Sequence, residues 1–165
     1  MDTFQEDCEV IEADLERVEH QTDVRALTAA YALDPMGNGG ALPADVLDRL
    51  IPGLRAHPTT IVFLAYSRGR AVGLATCFRG FSTFAALPVT NISDLAVLPE
   101  HRGRGFGRSL LAAVEKKARA LGCCKITLEV QENNWLARLT YERGGFSQAI
   151  YGPTTGGSLY YWKSL

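Results

Sequence analysis

Neither sign of charge dominates this chain, in which 17 Lys and Arg stand against 18 Asp and Glu for a net charge of −1. That balance removes the broad field with which nucleic-acid and anionic-membrane binders collect their partners. Long hydrophobic runs are missing too, and no stretch approaches the ~20 apolar residues of a membrane helix. The opening residues Met1-Asp-Thr-Phe-Gln-Glu-Asp7 are acidic and lack the basic-then-apolar order of a signal peptide. These absences set the expectation of a cytoplasmic protein with no nucleic-acid and no membrane partner. Cysteine and histidine are few and scattered. Cys8, Cys77, Cys123 and Cys124 form no C-x-x-C pair, and His20, His57 and His101 lie far apart in the chain. Neither a disulfide framework nor a metal site is expected from them, and the thiols read as reduced, mostly small apolar residues.

What is present is the material of an ordinary core: 47% hydrophobic and 21% charged residues in 165 positions. The expectation is one domain over residues 1–165, without repeats or linkers. Residues 8–13 read as a short strand. Thr22 or Asp23 suits a helix cap, with the helix running to about Leu33 and placing Val24, Leu27 and Tyr31 on one face. A glycine-rich loop follows over 34–40. Pro43 fits the first turn of a second helix, which Pro52 and Gly53 interrupt or end.

Residues 59–66 and 70–78 are β-branched and aromatic, joined by a Ser67-Arg-Gly69 hairpin turn. A strand over 89–98 stops at Pro99. The spacing of Phe106, Leu110, Val114, Ala118 and Leu121 predicts a helix over 104–121. A strand over 125–130, a helix from 133 or 134 to 143, and a closing hairpin of 146–151 with 158–163 complete the order. Strands joined both by hairpins and by helical crossovers predict a single α/β domain with a mixed, mostly antiparallel twisted sheet and helices on both faces.

Between the 89–98 strand and the long helix lies Arg102-Gly-Arg-Gly-Phe-Gly107. Glycines let the backbone turn and approach a ligand, and a helix start presents unpaired amides at the positive end of its dipole. Such a nest suits a pyrophosphate, with Arg102, Arg104 and Arg108 adding charge at its rim. The spacing is neither a Walker A loop, which needs a following lysine, nor a Rossmann fingerprint. A glycine-rich connection with no ligand remains the bland alternative.

The loop resembles the R/Q-x-x-G-x-G/A signature of the GNAT superfamily of N-acetyltransferases at Arg102, Gly105 and Gly107. Asp94-Leu-Ala-Val-Leu-Pro-Glu-His101 is similar to that family's fourth strand and its exit. Downstream, Asn134, Ala137, Tyr141, Glu142, Gly145 and Phe146 match its N-x-x-A-x-x-x-Y-E-x-x-G-F segment. The resemblance covers nearly the whole chain. It implies a splay between the fourth and fifth strands that takes the pantetheine arm of acetyl-CoA as co-substrate, with no metal. Backbone groups of Leu95, Ala96 and Val97 would bind that arm. Amides over Gly103, Arg104, Gly105, Phe106, Gly107 and Arg108 would hold the pyrophosphate, and Asn134 would help position the cofactor.

Acetyl transfer to an amine poses two proton problems. An alkyl amine with a pKa near ~10.4 is only ~0.1% neutral at about pH 7.4, and a departing thiolate needs a proton or a hydrogen bond. The resemblance gives the second task to Tyr141. For the base there are two candidates. Glu129 resembles the glutamate paired with tyrosine in ribosomal-protein N-terminal acetyltransferases. Asp94 occupies the strand ahead of the cofactor backbone, where polyamine acetyltransferases carry Glu-Asp and this chain has Ser93-Asp94. A water chain to solvent is the third route. Segments 36–40, 78–84 and 151–157 would set acceptor selectivity, with a small, polyamine-like primary amine as first expectation. A protein N-terminus or lysine and an aminoglycoside-like compound follow. A non-catalytic acyl-CoA sensor is the alternative of another class. Family members are often homodimers.

Overall fold

A computed structural model of the chain describes residues 8–150, 156, 159–161, 163 and 164. In chain order its elements are β1 (Cys8–Glu12), α1 (Val18–Leu33), α2 (Ala44–Ala56), β2 (Thr60–Ser67), β3 (Arg70–Ser82) and β4 (Leu87–Val97). A 3₁₀ turn (Pro99–His101), α3 (Phe106–Ala120), β5 (Ile126–Leu128) and α4 (Trp135–Arg143) follow. The sheet order is β1-β2-β3-β4-β5. The first four strands are an antiparallel meander, and β5 joins β4 in parallel. A parallel partner needs a crossover, which α3 supplies. This is the mixed sheet expected, and it is not closed.

Helices cover both faces of the sheet. Val62, Leu64 and Leu74 pack with Val24 and Leu27 of α1 and Ile51 and Leu54 of α2. Ile61, Phe63, Val72 and Ile92 pack with Phe106, Leu110 and Val114 of α3 and with Tyr141 of α4. Covered on both sides, β2 reads as a continuous apolar run without alternation. Each fully buried Leu, Val or Phe contributes about 1.5–3 kcal/mol. The β2–β3 turn has positive φ at Arg68 (50°) and Gly69 (75°), the geometry whose twist matches the flanking strands.

Four local expectations are corrected. Helix α1 starts at Val18, and Thr22 lies inside it with its hydroxyl donating to the Val18 carbonyl (2.9 Å). The entry is closed instead by Asp14 N–H donating to His20 Nδ1 (2.9 Å) and Gln21 Nε2 donating to the Leu15 carbonyl (2.8 Å). Helix α2 continues through Pro52 to Ala56, because Ile51 and Leu54 anchor it while Pro52 faces solvent. The long helix begins at Phe106, two residues later than its apolar spacing suggests, since Gly105 is left-handed at φ 93°. Strand β5 has only three residues, so Glu129 and Val130 lie beyond it. The expected closing hairpin and the 151–157 segment fall largely outside the described residues.

Candidate active site

The site originates in an irregularity of β4. Its register against β3 pairs Asp94 with Thr76 and Ile92 with Cys77, leaving Ser93 as an extra, bulged residue. On its other side β4 pairs with β5 only at Thr90, Asn91 and Ile92. A bulge bends a strand and sharpens its twist. Here it falls where the pairing with β5 stops, so among the described residues the outer half of β4 has no strand partner on that side. That is the splay implied by the resemblance.

Alternation then assigns the backbone groups. Leu98 N–H donates to the Val72 carbonyl (2.8 Å), so Leu98 and Ala96 turn their polar groups toward β3. Leu95 and Val97 turn theirs into the gap. The Ala96 carbonyl faces Gly73, where an added Cβ would stand 2.9 Å away. Of the three backbone positions expected to bind an arm, Ala96 is therefore already committed to the sheet.

Just beyond lies the glycine loop. Gly103 (φ 75°) and Gly105 (φ 93°) take left-handed conformations that favour glycine. Among the described residues no side chain caps α3, and its first bond runs from Ser109 N–H to the Gly105 carbonyl (3.0 Å). The amides of Phe106, Gly107 and Arg108 are left pointing out of the helix end. The Phe106 side chain serves the core instead, 1% exposed and edge-on to His101 at 5.8 Å. Gly107 lies beside Thr140 of α4, which brings α4 next to this terminus.

Arg102 does not stand free at the rim. Its Nε donates to the Val97 carbonyl (2.9 Å) and its Nη2 to Asp34 Oδ2 (2.5 Å). The Arg102 guanidinium beside Asp34, with a bond from Met36 N–H, holds the Asp34 carboxyl below the usual range. Between α1 and the end of β4 opens a cavity of about 240 Å³, walled by Leu27, Tyr31, Asp34, Ala96, Val97 and Arg102 among others.

Three ionisable side chains converge on the gap. Asp94 shares its parity with Ala96 and Leu98 and so faces the α1 side. Burial pushes its carboxyl up, and no hydrogen bond or ion pair holds it among the described residues. Burial also raises the Tyr31 hydroxyl, with the Asp94 and Asp34 charges adding to the effect. Tyr141, 9% exposed and 5.9 Å from the Phe146 ring, is pushed up to about 12 by burial first and by Tyr31 second. Tyr31 is the residue that sequence reading assigned only to packing. Its helical spacing is that of a core residue, and no motif marks it. Glu129 follows the end of β5 and is exposed, outside the strand expected to hold it. Asn134 caps α4, its Oδ1 accepting from Ala137 N–H (3.2 Å). No group of three or more His, Cys, Asp or Glu suited to a metal occurs among the described residues, and no described helix is long and apolar enough to cross a membrane.

Comparison with known proteins agrees with this geometry. The acetyltransferase (GNAT) family matches residues 25–146. The uncharacterized N-acetyltransferase YhfO of Bacillus subtilis (strain 168) is 28% identical over 89 residues, 54% of this chain and 60% of that protein. The chain thus spans under two thirds of that relative's length. A crystal structure of a probable acetyltransferase superposes with a TM-score of 0.78 at 18% identity, covering 94% of this chain and 99% of that one. The aminoglycoside N-acetyltransferase AAC(6')-Iy in complex with CoA gives 0.72 at 18% identity, covering 95% and 94%. At such identities the likeness establishes the fold. With the family matched over most of its length, this chain belongs to the GNAT acetyltransferase family.

Proposed function

We propose that the chain is an acetyl-CoA-dependent N-acetyltransferase that acetylates a small primary amine by direct transfer. The observation that carries this reading is the unpaired outer half of β4, opening beside the uncapped α3 terminus and next to the desolvated Asp94. These groups fit acyl-CoA. Leu95 and the Val97 N–H supply strand-like partners for the pantetheine amides. The Phe106, Gly107 and Arg108 amides supply an anion nest, and at Gly103 no described residue beyond its chain neighbours comes within 4 Å of where a Cβ would stand. When bound, acetyl-CoA supplies a thioester already activated toward an amine.

The chain's own residues handle the protons. A carboxyl with a raised pKa is a stronger base than an ordinary carboxylate, which suits Asp94 to take the proton of the incoming ammonium. Tyr141, at about 12, keeps its Oη proton near neutrality and offers it as a hydrogen bond to the leaving sulfur. Glu129 is less suited, being exposed beyond β5. Loop 34–40 and the β3–β4 hairpin, with Phe81 and Phe84 exposed by 64% and 100%, provide surfaces for acceptor recognition. The aminoglycoside acetyltransferase neighbour also takes an amine by its name.

The test is release of free thiol from acetyl-CoA with a panel of polyamines, aminoglycosides and N-terminal peptides. Acceleration by polyamine-type amines supports the reading. Acceleration by peptides alone replaces the acceptor class. Binding of acetyl-CoA, seen as a raised Tm, with no acceleration by any amine would leave a non-catalytic acyl-CoA sensor.

A further inference from the structure

We propose that Asp34 is a positioning residue that couples the glycine loop to loop 34–40, so that filling the donor site steadies the loop lying on Tyr31. The inference rests on the acyl-CoA reading above. Asp34 gathers contacts from three parts of the fold. Its backbone N–H donates to the Tyr31 carbonyl (3.0 Å), and its own carbonyl accepts from Gly37 N–H (2.8 Å) and Gly39 N–H (3.2 Å). Its carboxylate accepts from Met36 N–H (2.8 Å) and from Arg102 Nη2 (2.5 Å). The same guanidinium holds the Val97 carbonyl at the end of β4 through Nε (2.9 Å). One side chain, at the first position of the glycine loop, therefore ties β4 to the loop after α1.

Two features separate this pair from ordinary surface ion pairs, which contribute little. The Asp34 side chain is 13% exposed against 45% for Glu12 in the Lys117 pair, although Arg102 itself is 40% exposed. The loop it holds is also closely fitted. A Cβ at Gly37 would stand 2.1 Å from the Tyr31 carbonyl oxygen and 3.2 Å from its ring, and the Tyr31 hydroxyl reaches the Met36 carbonyl at 3.5 Å. Tyr31, Asp34 and Arg102 all wall the same cavity beside Ala96 and Val97. A guanidinium has five N–H donors in a rigid fork. Arg102 can thus bond a phosphate oxygen while Nη2 stays on Asp34, and a guanidinium pinned at one end holds its other partners for more of the time.

Amide hydrogen exchange of the full chain, with and without saturating acetyl-CoA, tests this. In the wild type acetyl-CoA is expected to slow exchange at 103–108 and, by roughly fivefold or more, at Met36, Gly37 and Gly39. Asp34→Asn, which keeps an oxygen for Met36 N–H but loses the charge, should retain the ligand effect at 103–108 and lose it at 36–39. Asp34→Glu should restore it in part. Asp34→Ser, whose hydroxyl can still accept from Met36 N–H, provides the same comparison if the first variant folds poorly. A purely structural Asp34 would change exchange equally with and without ligand. Equal protection of 36–39 in Asp34→Asn, or protection confined to 103–108 in the wild type, overturns the coupling and leaves the donor site standing. Protection at neither loop overturns the donor site itself.

Discussion

Ile92 and Leu128 form the last pair between β4 and β5, and the bulged Ser93 follows Ile92 immediately. A strand that loses its neighbour must leave its polar backbone groups to water or to a ligand. Along the gap the Leu95 backbone groups and the Val97 N–H are open to such a partner, while the Val97 carbonyl is taken by Arg102, and the row ends at an anion-ready helix terminus. Four further predictions follow from how the side chains around it are placed.

Gly105→Glu should abolish acetyl-CoA binding. It puts a side chain at φ 93° and a negative charge against the amides that would face a pyrophosphate. Calorimetric titration of the folded variant checks this, and wild-type affinity there would remove the loop from the donor site.

Tyr141→Phe should lower kcat by about 10²-fold while leaving the acetyl-CoA Kd within about twofold, because it removes one proton donor and little volume. The buried ring keeps its packing against Phe146. Steady-state rates beside direct binding make the comparison, and an unchanged kcat would take Tyr141 out of the chemistry.

Asp94→Asn should lower kcat by about 10²-fold or more and at the same time raise Tm at neutral pH. The folded-state pKa of Asp94 is raised by burial, so folding favours its protonated form. Its contribution to stability is fully present below the unfolded value of about 3.9 and is lost as pH rises through the folded value. Above that range the wild type bears the cost of desolvating this carboxylate, which the variant does not, and near pH 3.5 the difference should vanish. Thermal melts at both pH values read this, while kcat/KM of the wild type should fall as Asp94 is protonated. A variant less stable at neutral pH would mean that the charge has a partner.

Asn134→Ala should cost about 1 kcal/mol, since it removes the oxygen that accepts from Ala137 N–H at the start of α4. Asn134→Asp should keep most of that stability. Urea unfolding measures both, and an alanine variant as stable as the wild type would mean the cap adds nothing.

Much of the fold was legible wherever a short-range pattern has a short-range cause. Phe106, Leu110, Val114 and Ala118 recur at helical spacing because one face of α3 meets the sheet, and all four are buried. Arg68 and Gly69 make the hairpin turn that their neighbours suggested. Pattern misled where a distant partner intervened. Thr22 resembles a cap, yet Asp14 and Leu15 start α1 earlier through His20 and Gln21. Pro52 resembles a stop, yet Ile51 and Leu54 hold α2 against α1.

By itself, the sequence determined the family and the glycine loop, because amides at a helix start and left-handed glycines are properties of adjacent residues. The tertiary structure decided which acid is desolvated, that Arg102 is committed to Asp34 and Val97, that Ala96 belongs to the sheet, and that the Asp94 charge is felt at Tyr31. Burial and electrostatic coupling sum over residues far apart in the chain. No local window contains those sums, so the glycine loop could be read from its letters and the desolvation of Asp94 could not.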